Sequence, residues 1–177
     1  MLLLLLITLG GAYVRSYHAD YPSIGYHNWK EARYITEARN FARDGFFEYG
    51  LFVPALDFPP LTFDPSGAHS DFFPSSAIAA AIMFMLFGFK LWAARLPVII
   101  VSVLSIPLMF LIVRRLFGRD DMALVAAVLT AINPMFVFYS HNVDQMPFGL
   151  FFVLLSWVLI FKWIDQDKWY FLLGSSF

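Results

Sequence analysis

Residues 74–88, 96–113, 122–139 and 146–161 each run without one charged side chain. A helix needs about 20 mainly apolar residues to cross a hydrocarbon layer of roughly 30 Å, and inside it every backbone N–H and C=O must be satisfied by the segment itself. Runs of this kind therefore restrict the chain to a bundle of membrane helices. The composition agrees: 60% hydrophobic residues against 14% charged leaves too little polar surface for an ordinary soluble domain. The expected fold class is all-α, a polytopic integral membrane helix bundle with a long outer first loop carrying amphipathic interfacial helices.

A formal net charge of −1, with no long basic tract, removes the electrostatic basis of nucleic-acid binding. The absence of cysteine excludes disulfides, thiolate metal sites and cysteine nucleophiles. Three regions follow from the hydropathy pattern. Residues 1–14 (MLLLLLITLGGAYV) read as a first membrane helix with a clipped start. The alternative, a cleaved signal peptide, lacks a basic n-region and an A-x-A site. Residues 15–72 form an outer loop with an amphipathic helix, interrupted by Pro59-Pro60 and Pro65-Ser66-Gly67. Residues 73–177 hold an interfacial helix plus transmembrane helices. The last apolar segment, beginning at "KWYFLLGSSF", is truncated, so the chain is expected to be an N-terminal fragment, inactive alone.

Charge sets the expected topology. Arg114, Arg115 and Arg119 follow one apolar run, and Lys162 and Lys168 follow another, whereas "SHNVDQ" between them carries no Lys or Arg. The positive-inside rule then puts the arginines inside and Asp144 outside. The assignment requires that 74–88, only about fifteen residues, lies at the interface instead of crossing.

The stretch "GYHNWKEARYITEARNFARDG", residues 25–45, has helical periodicity. Lys30, Arg33, Glu37, Asn40 and Asp44 make a polar stripe, and Gly45 is a natural end cap. Glu31 falls off that stripe and on the buried one with Ile35, Ala38 and Ala42. Two readings stay open: Asn28 and Glu31 form a capping box, or Glu31 is a base or metal ligand tuned by partial burial and by Lys30, Arg33 and His27. "YSHNVDQMP" offers a second carboxylate, Asp144, at the same expected face; alternatively Asn142 or Asp144 caps the next helix. "HSDFFP" brings His69 and Asp71 together, either as a surface turn or as a weak divalent-cation motif.

The order of "HNWKEARY", "DFFPSSAIAAAIMFMLFG", "LWAARLPVIIVSVLSIPLMFLIVRRLFG" and "ALVAAVLTAINPMFVFYSHNVDQMPFGLFF" resembles the N-terminal part of type-C membrane glycosyltransferases, in the dolichyl-phosphate-mannose protein mannosyltransferase and aminoarabinose transferase-like group. The resemblance implies an enzyme that moves a sugar from a polyprenyl-phosphate carrier to a protein, lipid or glycan acceptor at the outer face of the cell membrane. It implies Glu31 and Asp144 as catalytic carboxylates and ligands of a divalent metal ion, with His27, Lys30, Arg33 and Asp71 binding substrate. Lys30-Glu31 stands where many members carry Asp-Glu, so His27 or Asp71 is a candidate for part of the paired acid's role. Direct displacement by one base would invert the anomeric carbon. A second class, a non-catalytic transporter or assembly subunit, would be favoured by charges within the apolar runs, which contain none.

Overall fold

The computed structural model describes residues 1–22, 28–47 and 73–176. They are helical, with no strand among the described residues. The elements are α1 (Leu2–Ser16), α2 (Asn28–Asp44), α3 (Ser75–Phe87), α4 (Leu91–Phe117), α5 (Asp120–Ile132), α6 (Pro134–Ser140), α7 (Met146–Gln166) and α8 (Trp169–Gly174). Gly45, Gly88 and Gly118 follow α2, α3 and α4 in the left-handed region, at φ of 93°, 78° and 66°. Each donates its N–H to the carbonyl four residues back, the end cap that glycine supplies without Cβ strain. Gly45 thus ends α2 as its sequence predicts.

Among the described residues two helices, Leu91–Phe117 and Met146–Gln166, are long and apolar enough to cross a membrane; counting the α5–α6 pair as one broken span makes three. The protein is an integral membrane protein. Residues 122–139, which read as one uninterrupted span, are instead two helices bent by 51°. Asn133-Pro134 is the cause. Pro134 has no N–H to give the carbonyl of Thr130, and the Asn133 side chain caps α6 by accepting from the N–H groups of Met135 (3.0 Å) and Phe136 (3.2 Å). α3 is 13 residues long, short of the roughly 20 that cross a bilayer as a helix.

The chain divides into two compact units. The first comprises residues 1–17, 99–139 and 146–177. Its core is Leu4 of α1, Ile106 and Phe110 of α4, and Ala123, Ala127 and Ala131 of α5. Gly11 permits the close approach of α1: a Cβ there would lie 2.5 Å from Ile106 Cδ1 and 3.5 Å from Ala131 Cβ. Arg15, expected at the start of the loop, lies inside α1 and is fully buried. Around the ends of α4, α5 and α7, Arg114 pairs with Asp120, Arg115 with Asp165 and Arg119 with Asp121, all well exposed.

The second unit comprises residues 18–98 and 140–145, of which the described ones form α2, α3, the start of α4 and a loop. Tyr34, Ala38 and Phe41 of α2 meet Ala77, Ala80, Ala81 and Phe84 of α3, with Ala93, Ala94 and Val143 completing the core. Alanines on the facing surfaces let two helix backbones approach closely, so this small unit packs with few bulky side chains. The water-facing stripe of α2 is not the expected one. Trp29, Ala32, Arg39 and Arg43 are exposed, whereas Glu37 and Asn40 are buried, at 3% and 1% exposure. Periodicity correctly made one stripe polar, but burial on more than one side of α2 turned part of that stripe inward. Arg33 offsets the buried charge of Glu37 at 3.0 Å along the helix.

Candidate functional site

Glu31 sits in the first turn of α2 with its side chain in the core of the second unit, at 3% exposure. A carboxylate taken out of water needs compensating donors. Arg95, on the second turn of α4, supplies two: its Nε donates to Glu31 Oε1 at 2.8 Å and its Nη2 to Oε2 at 2.9 Å. This is the parallel fork that a planar guanidinium makes with a carboxylate. The backbone N–H of Val143 donates to Glu31 Oε1 at 3.0 Å. The opposite edge of Arg95 is used as well, Nη1 donating to the carbonyls of Ala19 (3.0 Å) and Tyr21 (2.6 Å). One ion pair thereby ties together the segment after α1, the start of α2, the start of α4 and the 140–145 loop.

Asp144, directly after the residue that binds Glu31, is also buried, at 5% exposure. Tyr34, one turn along α2 from Glu31, feels its charge. The phenol is pushed up to about 12, first by burial and then by the negative charge of Asp144. The two carboxylates that the sequence singles out, in a loop helix and between two apolar runs, thus belong to one buried centre. Burial likewise raises Glu37, against the lowering effect of its bond from Arg33. The 140–145 loop is anchored further by Gln145, whose Nε2 donates to the carbonyl of Phe73 at 3.0 Å. Gln145, not Asn142 or Asp144, is the residue immediately before α7.

The remaining candidates separate. Arg33 turns its Nε to Glu37, and Lys30 holds its ammonium 5.7 Å from the Trp29 ring centroid. His27, His69, Asp71 and the side chain of Asn28 lie outside the described residues. Described bonds of Glu31 run to α4 and the 140–145 loop, and the capping box with the Asn28 side chain falls outside the described residues. Among the described residues no group of three His, Asp or Glu side chains is placed to hold a metal ion. Both Glu31 oxygens accept from the Arg95 guanidinium, so Glu31 as placed does not fit as a metal ligand.

Three residues escape a reading of the sequence alone. Arg95 enters the sequence reading only within "LWAARLP", as part of the family resemblance. Its partner is 64 residues away. Tyr34 carries no signal beyond its i+3 spacing from Glu31, and Glu37 reads only as a member of the polar stripe.

A sequence model for a family described as dolichyl-phosphate-mannose-protein mannosyltransferase matches residues 71–177, more than half of the chain. The chain is also 29% identical, over 99% of its length, to "Putative mannosyltransferase YkcB" of Bacillus subtilis (strain 168). It spans about a fifth, 22%, of that relative's length. No solved structure matches it.

Proposed function

The chain belongs to the dolichyl-phosphate-mannose-protein mannosyltransferase family, and from that premise we propose that it serves a glycosyltransferase taking a sugar from a polyprenyl-phosphate carrier. The acceptor is a hydroxyl or amide of a protein, lipid or glycan at the outer face of the cell membrane. The observation that carries this reading is the convergence of Glu31 and Asp144 on one buried centre, through the Val143 N–H bond and the field of Asp144 at Tyr34. A glycosyl phosphate on a lipid keeps its head group at the membrane surface. A transferase for it needs a carboxylate there, beside apolar helices that accommodate the carrier.

The two acids divide the work in this reading. Asp144 is the general base. It takes the proton of the acceptor hydroxyl as that oxygen bonds to the anomeric carbon, the bond from that carbon to the phosphate oxygen breaks, and polyprenyl phosphate leaves with the electron pair. The product is inverted at the anomeric carbon. Glu31, gripped by Arg95, is a positioning residue that holds the loop carrying Asp144. Lys30 and Arg33 supply positive charge toward the leaving phosphate. The absence of Lys and Arg from residues 140–145, against Arg114 and Arg115 in the last turn of α4 and Arg119 just after it, supports the outer face.

The test uses membranes containing the protein expressed from its own reading frame, a radiolabelled polyprenyl-phosphate mannose and a panel of hydroxyl and amide acceptors. Asp144→Asn is expected to lower transfer by about two orders of magnitude or more, the scale of a lost general base, with thermal unfolding unchanged. Wild-type turnover in that variant rejects Asp144 as the base. Absence of transfer by the unaltered protein from every polyprenyl-phosphate sugar supplied rejects the donor class.

A further inference from the structure

Arg15 is a guanidinium with 0% exposure inside an apolar helix, and among the described residues its hydrogen bonds go to a hydroxyl and to backbone carbonyls. Its Nε donates to Ser102 Oγ at 3.0 Å and its Nη1 to the carbonyl of Gly11, on its own helix, at 3.2 Å. The other bonds go to α5: Nη1 to the carbonyl of Ala131 at 2.8 Å and Nη2 to that of Thr130 at 3.0 Å. Those two carbonyls are among the ones that the break deprives; Ile132 is another, since the N–H of Phe136 also goes to Asn133 Oδ1. In an unbroken helix Thr130 would accept from residue 134 and Ala131 from residue 135. Residue 134 is proline, without an N–H, and the N–H of Met135 is diverted to Asn133 Oδ1.

In a lipid environment an orphaned carbonyl has no water to turn to, so a break of this kind survives only where other groups supply the donors. A cation at the C-terminal, negative end of a helix dipole is also favourably placed. We infer that Arg15 is a positioning residue: by donating to Thr130 and Ala131 it holds the bend between α5 and α6, and α6 leads directly into the loop that carries Asp144. Gly11 belongs to the same device, since a Cβ there would come within 3.3 Å of Arg15 Nη1. Two of the four bonds that Arg15 donates go to this break, and the other two to Ser102 and Gly11.

Pro134 makes the inference testable, because replacing it gives Thr130 back an N–H of its own. The inference leans on the proposed activity only for its last readout. Three variants are compared in bilayers: Arg15→Met, Pro134→Ala and the two together. Thermal unfolding reports stability, oriented-sample solid-state NMR reports the angle between α5 and α6, and sugar transfer reports function.

Arg15→Met alone is expected to lower the unfolding midpoint. The double variant is expected to recover most of that loss while the 51° bend straightens. Transfer should stay at least tenfold below wild type in the double variant, because a stable but straight segment no longer delivers the Asp144 loop correctly. A double variant as unstable as Arg15→Met overturns the assignment of Arg15 to the orphaned carbonyls. A recovered, straightened double variant with wild-type transfer overturns the positioning role. Should the protein transfer no polyprenyl-phosphate sugar at all, the proposed function fails while stability and bend still decide the inference.

Discussion

The Arg95–Glu31 pair makes a quantitative prediction about what holds the second unit together. Arg95→Met keeps much of the side-chain volume but removes both arms of the fork, leaving a carboxylate at 3% exposure without its guanidinium. Breaking a buried ion pair from one side costs about 3–5 kcal/mol, most of it the desolvation of the charge left behind. The carbonyls of Ala19 and Tyr21 also lose a donor, but both residues are at least partly exposed, so water can replace it at small cost. Glu31→Leu strands Arg95 in the opposite sense, and the same range applies, lessened by the bonds that Arg95 retains to those carbonyls. Removing both charges as Glu31→Leu/Arg95→Met strands neither, and a buried pair exchanged for apolar groups is often close to neutral. The double variant should therefore be more stable than either single one. The coupling should reach about 3 kcal/mol or more, far above the roughly 0.5 kcal/mol within which independent sites add. Thermal unfolding followed by tryptophan fluorescence in detergent measures it. At about 2–4 °C per kcal/mol for a chain of this size, each single variant should fall by roughly 6–20 °C. Losses that simply add in the double variant, or a single variant within about 1 °C of wild type, would refute the ion pair as the tie among these segments.

Three further outcomes are expected. Burial raises the pKa of Glu37 in the fold, so the native state holds a proton that the unfolded chain has released, and stability falls as pH climbs from the ordinary carboxylate range through the raised value. Glu37→Gln removes that slope: its unfolding midpoint should gain on wild type across that window, and a gap independent of pH would contradict it. Gly11→Ala gains about 1 kcal/mol of helix propensity but meets Ile106 Cδ1, and overpacking costs about 1–3 kcal/mol, so the net change is destabilising. Adding Ile106→Val should reverse the sign, and urea titration in detergent reads whether it does. In this cysteine-free chain, a cysteine at the exposed Ala32 should react with a membrane-impermeant thiol reagent from outside and one at Gly118 should not. The opposite pattern would reverse the topology.

The sequence made the helices legible because apolar runs without charge have few other uses, and glycine marked the ends of α2, α3 and α4 faithfully. The inward face of α2 was legible at Glu31 and Ala38, since a 3.6-residue period orders a single helix whatever surrounds it. What packs against that helix was not legible. Arg95 and Val143 reach Glu31 across 64 and 112 residues, and no local pattern records such a meeting. Glu37 and Asn40 were turned inward by that same unseen packing. The break at residues 133–134 did have a local signal, asparagine followed by proline, but the apolar run around it masked it. Arg15 was missed for a related reason: a charge at the edge of a hydrophobic segment reads as the end of a helix, and only the unmet carbonyls of α5 explain why this one is inside.

The exposed pairs of Arg114 with Asp120, Arg115 with Asp165 and Arg119 with Asp121 bear on how the chain is made as well as on how it stands. During insertion, orientation is read from lysine and arginine while acidic residues contribute little, so these arginines act at full strength on the nascent chain. Once α4, α5 and α7 have formed, each arginine faces an aspartate. At these three pairs the charges cancel, so they offer anionic head groups little of the roughly 1 kcal/mol per basic residue that a polybasic segment provides. A positive charge that acts on the nascent chain is thus neutralised by the fold that it helps to form.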